Sequence, residues 1–167
     1  MNSIKEEFLE ILSNYQGIIH KVSLIYFPNE QDRADNFQEI AYQLWQGYSK
    51  LRNHTSIGSW IYAVSINTSI SRLRKESRLK YFEKVPETKE FKDTEEALSE
   101  HEDNQMLLRA IQQLDEISKS IILLYLEEKS YDEIAEITGI TKTNVGTRIN
   151  RAKGLLKQYL IRMNYGK

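Results

Sequence analysis

Residues 130–153 read SYDEIAEITGITKTNVGTRINRAK, and their pattern predicts two helices in the carboxy-terminal part of the chain. Ser130 followed three residues later by Glu133 fits a capping box, so a helix is predicted to begin immediately after Ser130. Gly139 can take the left-handed conformation of a tight turn, and Thr141 can cap a following helix. We therefore predict helices over residues 131–138 and about 142–163, joined by a short turn.

The second of these helices has one apolar face and one polar face. Val145, Ile149 and Leu156 share one side of a helical wheel, and Ala135 is small where the two helices would cross. The other side carries short polar side chains suited to base edges in a major groove, with basic residues at its margins suited to phosphates. A solvated surface helix would show this pattern in isolation, but the preceding cap, turn and apolar wedge favour a DNA-binding helix-turn-helix. The predicted DNA contacts are Tyr131, Lys142, Thr143, Thr147, Arg148, Asn150, Arg151 and Lys153.

Three segments of this half resemble region 4 of bacterial sigma factors: residues 114–116, 130–135 and 145–153. Region 4 reads the minus-thirty-five promoter element, so the resemblance implies that the predicted contacts meet that element. Gly146 stands where the family usually has a basic residue, and Asn150 stands where the residue varies with promoter choice. Similar helix-turn-helix tails occur in response regulators, so the amino-terminal half is needed to distinguish the two classes.

The first 84 residues predict a three-helix domain. Apolar residues recur at intervals of three and four in the first helix, and Pro28-Asn29 ends it. These apolar residues are Phe8, Ile11, Leu12, Tyr15, Ile18, Ile19 and Val22. The predicted helices cover about residues 3–27, 33–48 and 56–80.

The second predicted helix has an arc of acids, amides and aromatics opposite its apolar residues. An exposed aromatic beside carboxylates suits a protein interface, although a half-buried tryptophan among solvated acids fits the same pattern. Residues 32–45 resemble the sigma segment that grips the clamp coiled coil of the polymerase's largest subunit, although Asn36 stands where that family prefers leucine. The resemblance implies a polymerase-binding surface formed by Asp35, Gln38, Glu39, Tyr42 and Trp45.

The third predicted helix changes its buried side halfway, which leaves a polar and basic stripe continuing from Trp60. Residues 60–75 resemble the sigma region that reads and melts the minus-ten element, with Ala63 and Ser71 replacing a usual arginine and a usual acid or amide. The resemblance implies that the loop before this helix accepts a base rotated out of the duplex. Trp60 fits a core tryptophan equally well, and His54 fits a plain loop residue. The implied minus-ten contacts are Asn53, His54, Trp60, Asn67, Ser71, Arg74, Lys75 and Arg78.

Charge is segregated along the chain. Residues 51–84 carry seven basic and two acidic side chains, and residues 134–167 carry seven basic and one acidic. Residues 85–105 carry eight acidic and two basic side chains with few apolar ones, which is typical of a linker. The fold is therefore predicted to be all-α, with two small helical domains, residues 1–84 and 106–167, joined by an acidic linker, and the second domain is a helix-turn-helix domain.

Several classes of function are excluded by composition and motif. The chain has no cysteine and only three dispersed histidines, so neither a metal site nor a disulfide scaffold is expected. The sequence shows no nucleotide-binding loop or nucleophile motif, so we expect a protein that is not an enzyme and needs no cofactor. The longest apolar run, residues 121–126, is far shorter than the roughly 20 residues of a membrane span. The acidic residues 1–10 lack a signal-peptide core, so a cytoplasmic protein without membrane insertion is expected.

The resemblance covers about residues 8–80 and 106–160, without room for the extra regions of housekeeping sigma factors. It indicates the extracytoplasmic-function group, whose members bind core RNA polymerase and direct promoter recognition, melting and transcription initiation. The implied partners are core polymerase, through its clamp coiled coil and flap, promoter DNA, and an anti-sigma factor. Two alternatives remain: a stand-alone helix-turn-helix regulator that binds DNA without polymerase, and a polymerase-binding interaction module without promoter activity.

Overall fold

The computed structural model describes residues 3–51, 56–83 and 102–165. Seven α-helices and no strand are found in these residues. The chain divides by its internal contacts into two compact units, Met1–Phe91 and Lys92–Lys167. The prediction of an all-α protein with two helical domains is confirmed.

The first unit consists of helices α1 (Ile4–Tyr26), α2 (Glu30–Tyr48) and α3 (Ile57–Glu83), each packed against the other two. A capping box begins α1: Ser3 Oγ accepts a hydrogen bond from the Glu6 N–H, and the Glu6 carboxylate accepts one from the Ser3 N–H, both at 3.2 Å. The polar spacing of these two residues is the sequence signal for this start.

Helix α2 begins three residues earlier than predicted. Asn29 caps it, because Asn29 Oδ1 accepts hydrogen bonds from the N–H groups of Gln31 at 2.8 Å and Asp32 at 3.4 Å. The sequence interpretation used Pro28-Asn29 only to end α1, whereas the same asparagine also starts the next helix. The connection between α1 and α2 is therefore very short.

The apolar core of the first unit lies between its three helices. Phe8, Ile19, Ile40, Leu44 and Ile61 form the buried centre, so the predicted apolar faces of α1 and α2 point inward as expected. The partly buried residues packed around that centre are Ile11, Leu12, Tyr15, Ile18, Phe37, Tyr48, Ile57, Trp60 and Val64. Packing of these faces removes apolar area from water and is the main force that holds the three helices together.

A cluster of polar side chains interrupts this core where the three helices meet. Asn36 is fully buried, and its Nδ2 donates to Ser23 Oγ of α1 at 3.0 Å and to Ser69 Oγ of α3 at 2.9 Å. Ser69 Oγ in turn donates to the Ser65 carbonyl oxygen at 2.7 Å. Among the described residues, Asn36 Oδ1 and Ser65 Oγ are buried without a hydrogen-bond partner. We call Ser23, Asn36, Ser65 and Ser69 the polar junction.

The second unit consists of α4 (Glu102–Gln112), α5 (Glu116–Leu126), α6 (Tyr131–Thr138) and α7 (Lys142–Tyr165). The bounds of α6 are those predicted, and α7 begins where predicted. Its core is aliphatic, and the predicted inward face of α7 is buried. The buried apolar side chains are Ala110, Ile111, Leu114, Ile121, Ile122, Leu123, Leu124, Ile134, Ile137, Val145, Ile149, Ala152 and Leu156.

The turn between α5 and α6 contains a non-glycine residue in the left-handed region. Glu128 has φ 62°, its N–H donates to the Tyr125 carbonyl at 3.0 Å, and the Lys129 N–H donates to the Leu124 carbonyl at 3.0 Å. This pair of hydrogen bonds is the Schellman motif, in which glycine is the residue usually found at the left-handed position. Glu128 therefore holds a strained conformation that allows the N-cap of α6, Ser130, to follow two residues later.

The predicted linker lies mostly outside the described residues, from residue 85 to 101. Its last four residues, 102–105, form the first turn of α4. In the described ranges, no helix is long and apolar enough to cross a membrane.

Candidate functional site

The helix-turn-helix geometry predicted for α6 and α7 is present. Ser130 Oγ accepts from the Glu133 N–H at 3.1 Å, and the turn is made by Gly139 with φ 76°. Thr141 Oγ1 accepts from the Asn144 N–H at 3.2 Å and so caps α7. The Glu133 carboxylate lies 3.9 Å from Lys129 Nζ, so Glu133 also forms an ion pair with the residue before the cap.

The polar face of α7 is open to solvent. Thr143, Thr147, Asn150 and Arg151 are all exposed, on the side of the helix opposite the buried Val145, Ile149 and Ala152. Thr147 Oγ1 donates to the Thr143 carbonyl at 3.1 Å, so its hydroxyl is left to accept a hydrogen bond from a ligand. The face thus offers two hydroxyls, an amide and a guanidinium within about three helical turns.

The basic residues at the margins of this face are partly engaged within the unit. Lys142 Nζ lies 3.3 Å from an Asp132 carboxylate oxygen, although both side chains are mostly exposed. Lys153 Nζ donates to Tyr125 Oη at 2.7 Å and lies 4.4 Å from the centre of that ring. The hydrogen bond to Tyr125 raises the pKa of Lys153 above its usual value. Lys153 therefore remains cationic and is held toward α5.

Arg148 differs from the other predicted DNA contacts because it is turned inward. Its Nη1 lies 3.9 Å from Asp115 Oδ1, and within the described residues its Nε is buried without a hydrogen-bond partner. Asp115 also caps α5, accepting from the Ser118 N–H at 2.9 Å and from Ser118 Oγ at 2.9 Å. Burial raises the pKa of Asp115, but the Ser118 hydrogen bonds and the Arg148 charge outweigh it, so the pKa lies below the ordinary 3.8. Arg148 therefore links α7 to the N-cap residue of α5 through this ion pair.

Tyr131 lies beside the polar face of α7. A Cβ placed on Gly146 would lie 3.4 Å from Tyr131 Cε2, so the ring packs against the helix at the residue that lacks a side chain. Tyr131 remains exposed and is therefore available at the margin between Lys142 and Asn150.

The predicted polymerase surface is a continuous exposed strip of α2. Gln38 and Glu39 are exposed, Tyr42 is 55% exposed, and Trp45 is 40% exposed with its ring centre 5.1 Å from that of Phe8. The Trp45 ring thus packs on Phe8 on one side and is open to solvent on the other, which is the arrangement expected of an anchor in an interface, and Tyr42 adds a second exposed ring. Asp35, the fifth residue, lies at the edge of the strip, where its carboxylate faces α3.

The basic stripe of α3 is also exposed. Asn67, Ser71, Arg74, Lys75 and Arg78 share its outer side. Between this stripe and α2 runs an open groove of about 600 Å³ lined by both helices. The groove residues are Glu39, Gln43, Asn67, Thr68, Ser71, Arg72, Lys75, Glu76 and Leu79. The strip on α2 and the stripe on α3 are therefore neighbours on one unit.

Two other predicted minus-ten contacts, Asn53 and His54, lie outside the described residues. Trp60 is partly buried rather than free: it packs on the apolar core, and a Cβ on Gly47 would lie 3.3 Å from Trp60 Cζ2. The ring therefore fills core space, as a core tryptophan would, and part of it reaches solvent, as a DNA contact requires.

Arg72 belongs to the basic segment of α3, but the structure places its side chain between helices. Its Nε donates to Glu76 Oε1 at 3.1 Å, its Nη2 lies 3.7 Å from Asp35 Oδ2, and its guanidinium lies 5.6 Å from the Phe27 ring centre. Its side chain is only 23% exposed. The helical periodicity indicates that Arg72 points inward, because it shares one arc of a helical wheel with Ile61, Ser65 and Ser69. The polar junction and Arg72 are the residues that sequence reasoning missed.

The described residues contain no group of three or more histidines, aspartates and glutamates positioned to hold a metal ion. The surfaces described above differ in chemistry: one is acidic and aromatic, and two are polar and basic. Their side chains can bind protein and nucleic acid by contact, charge and hydrogen bonding.

The chain was compared with known protein families and structures. Sigma-70 region 2 matches residues 11–79, and sigma-70 region 4 matches residues 104–156. Among curated relatives, the chain is 29% identical over 147 residues to RNA polymerase sigma factor SigV of Bacillus subtilis, covering 87% of this chain and 86% of the relative. It is 28% identical over 161 residues to the ECF RNA polymerase sigma-E factor of Escherichia coli K12, covering 89% and 84%.

Solved structures show the same fold. The sigma factor RpoE, in complex with the anti-sigma factor NepR from Bartonella quintana, matches with a TM-score of 0.68 at 18% identity, over 93% of this chain and 95% of that one. CnrH, in complex with the cytosolic domain of CnrY, matches with a TM-score of 0.64 at 18% identity, over 92% and 86%.

Sigma-70 region 2 matches the first helical unit, sigma-70 region 4 matches the second, and the curated relatives are of similar length. The chain therefore belongs to the sigma-70 family of RNA polymerase sigma factors. Within that family it belongs with the extracytoplasmic-function (ECF) sigma factors. As a sigma factor it directs transcription initiation.

Proposed function

We propose that the first unit binds core RNA polymerase through the strip of α2 and minus-ten DNA through the stripe of α3, while α7 reads the minus-thirty-five element. The division follows the domain boundaries expected from sequence, residues 1–84 and 106–167 around an acidic linker. The protein acts by binding and leaves the chemistry to polymerase. It works in the cytoplasm and is restrained there by an anti-sigma factor. This part of the proposal is supported by two structural relatives: RpoE is in complex with the anti-sigma factor NepR, and CnrH is in complex with the cytosolic domain of CnrY.

The juxtaposition within the first unit carries this proposal. A strip with two exposed aromatics, two carboxylates and an amide lies next to a stripe with three basic side chains across one groove. Acidic and aromatic groups suit the clamp coiled coil, and basic groups suit phosphates. Such adjacency allows a single domain to hold the polymerase and the melted strand at the same time.

The first test of the proposal is transcription initiation in a purified system. Run-off transcription with purified core polymerase and a genomic promoter library is expected to yield defined transcripts only when this chain is added. A stand-alone regulator would instead protect DNA without polymerase, and a simple interaction module would bind core enzyme without starting transcripts.

The α2 strip is tested by the double substitution Asp35→Asn with Glu39→Gln, which is expected to weaken binding to core polymerase about tenfold or more. The matched control is Glu7→Gln with Glu10→Gln, which removes the same charge from exposed residues of α1. Equal binding by the strip variant and the control variant would contradict the assignment.

The α7 face is tested by Arg151→Ala, which is expected to weaken upstream promoter binding by about 1–3 kcal/mol if Arg151 contacts a base. Arg162→Ala is the matched control, because Arg162 is an exposed arginine farther along the same helix. Binding is measured with promoter fragments that carry or lack the upstream element. A loss that is equal on both fragments would assign Arg151 to phosphate contact instead of base recognition.

A further inference from the structure

Asp35 has a dual position, since it lies on the edge of the polymerase strip and also contacts α3. We propose that Arg72 is an internal competitor that occupies Asp35 in the free protein, and that polymerase must displace Arg72 to use that carboxylate. The inference rests on the proposed function, because it takes the α2 strip to be the polymerase-binding surface.

Both oxygens of Asp35 are engaged within the unit. Oδ1 accepts a hydrogen bond from Gln31 Nε2 at 3.3 Å, and Oδ2 lies 3.7 Å from Arg72 Nη2. The carboxylate is nevertheless 46% exposed, so a cation from a partner can approach it. Such a cation would have to share Oδ2 with Arg72 or replace it.

Arg72 has an alternative set of contacts that makes the exchange easy. Its contact with Glu76 Oε1 at 3.1 Å is shorter than its contact with Asp35, and the Phe27 ring lies 5.6 Å from the guanidinium carbon. A guanidinium carries five N–H donors and can serve two carboxylates at once. When Asp35 is taken by the partner, Arg72 keeps Glu76 and the ring face, so no buried charge is left unpaired.

The chain has no cysteine, so Lys167→Cys allows a single fluorescent label on the whole chain. The dissociation constant for purified core polymerase is then measured by anisotropy without DNA. Arg72→Gln is expected to bind about threefold tighter than the wild type, the scale of a partly exposed ion pair. In an Asp35→Asn background the same substitution is expected to change nothing.

A matched control separates the specific contact from general charge. Lys50→Gln makes the same charge change at an exposed residue two positions after the end of α2. Tighter binding by Lys50→Gln as large as that by Arg72→Gln, or the same gain in the Asp35→Asn background, overturns the proposal. Unchanged or weaker binding by a folded Arg72→Gln protein overturns it as well.

If Arg72→Gln melts at a lower temperature and cannot be compared, Glu76→Gln provides the opposite test. Without Glu76, Arg72 is left to Asp35 alone, so binding is expected to weaken about twofold, again only when Asp35 is present. Unchanged or tighter binding overturns the proposal. Failure of Asp35→Asn with Glu39→Gln to weaken binding would instead remove the proposed polymerase surface itself.

Discussion

Replacing Asn36 with alanine is expected to destabilise the first unit substantially. The side chain is fully buried and joins all three helices through Ser23 and Ser69. Alanine removes both hydrogen bonds and leaves a small void, because the surrounding helices can close only part of the space.

The expected size follows from three contributions. The two hydrogen bonds contribute about 1 kcal/mol each, and the void adds about 1 kcal/mol. Against these, alanine also removes the buried Oδ1, whose desolvation without a partner costs about 1 kcal/mol or more. The net loss in the free energy of unfolding is therefore about 2 kcal/mol. Asn36→Leu loses the same two hydrogen bonds and the same oxygen but fills the space, so its expected loss is about 1 kcal/mol, half that of Asn36→Ala.

Both tryptophans, Trp45 and Trp60, lie in the first unit, so tryptophan fluorescence follows its unfolding in urea within the whole chain. With a slope of about 1.5 kcal/mol per M, the midpoint of Asn36→Ala is expected to fall by about 1.3 M. Asn14→Ala, at an exposed residue of α1, is the matched control and should shift it little. If Asn36→Leu proves as unstable as Asn36→Ala, filling the void gains no stability and this reasoning is wrong.

Three further predictions concern the second unit. Glu128→Gly should stabilise the end of α5 by about 0.5–1 kcal/mol and so slow hydrogen exchange in that helix, because glycine takes the left-handed conformation without strain. Glu127→Gly is the control, since Glu127 has an ordinary φ, and it should not slow the exchange. Because the pKa of Asp115 is lowered in the folded protein, its carboxylate stabilises the fold above the ordinary pKa of 3.8, and this stabilisation is lost as the pH falls below 3.8. Asp115→Asn should therefore lower the melting temperature slightly at pH 7 and make the melting temperature less sensitive to acid. An unchanged dependence of the melting temperature on acid pH would contradict this prediction. Gly146→Lys should steepen the salt dependence of DNA binding by about one unit of log–log slope relative to Gly146→Ala, and equal slopes would show that residue 146 lies away from phosphate.

The sequence was sufficient for features that depend on local chemistry. The bounds of α6 follow from Ser130 and Gly139, both of which act within their own turn of chain, and the polar face of α7 follows from the helical period. The early start of α2 is also encoded locally, because asparagine is one of the favoured N-cap residues and Asn29 stands directly before the helix.

The features that could not be predicted depend on residues brought together from different helices. The wheel places Ser65, Ser69 and Arg72 on the inner side of α3, but it does not show that Asn36 and Asp35 of α2 face them. Likewise, Arg148 has the composition of a phosphate contact, and only the packing of α5 against α7 reveals Asp115 beside it. A basic residue in a sequence can thus serve the interior or the ligand, and its neighbours decide which.

The polar junction has a consequence for how the helices of the first unit are aligned. Aliphatic side chains tolerate sliding, whereas the Asn36 amide must meet hydroxyls on two other helices at once. A shift of α1 or α3 along its axis by one turn, about 5.4 Å, would strand that amide in an apolar interior. The junction therefore sets one longitudinal position for each helix, and with it a fixed offset between the aromatic rings of α2 and the cations of α3.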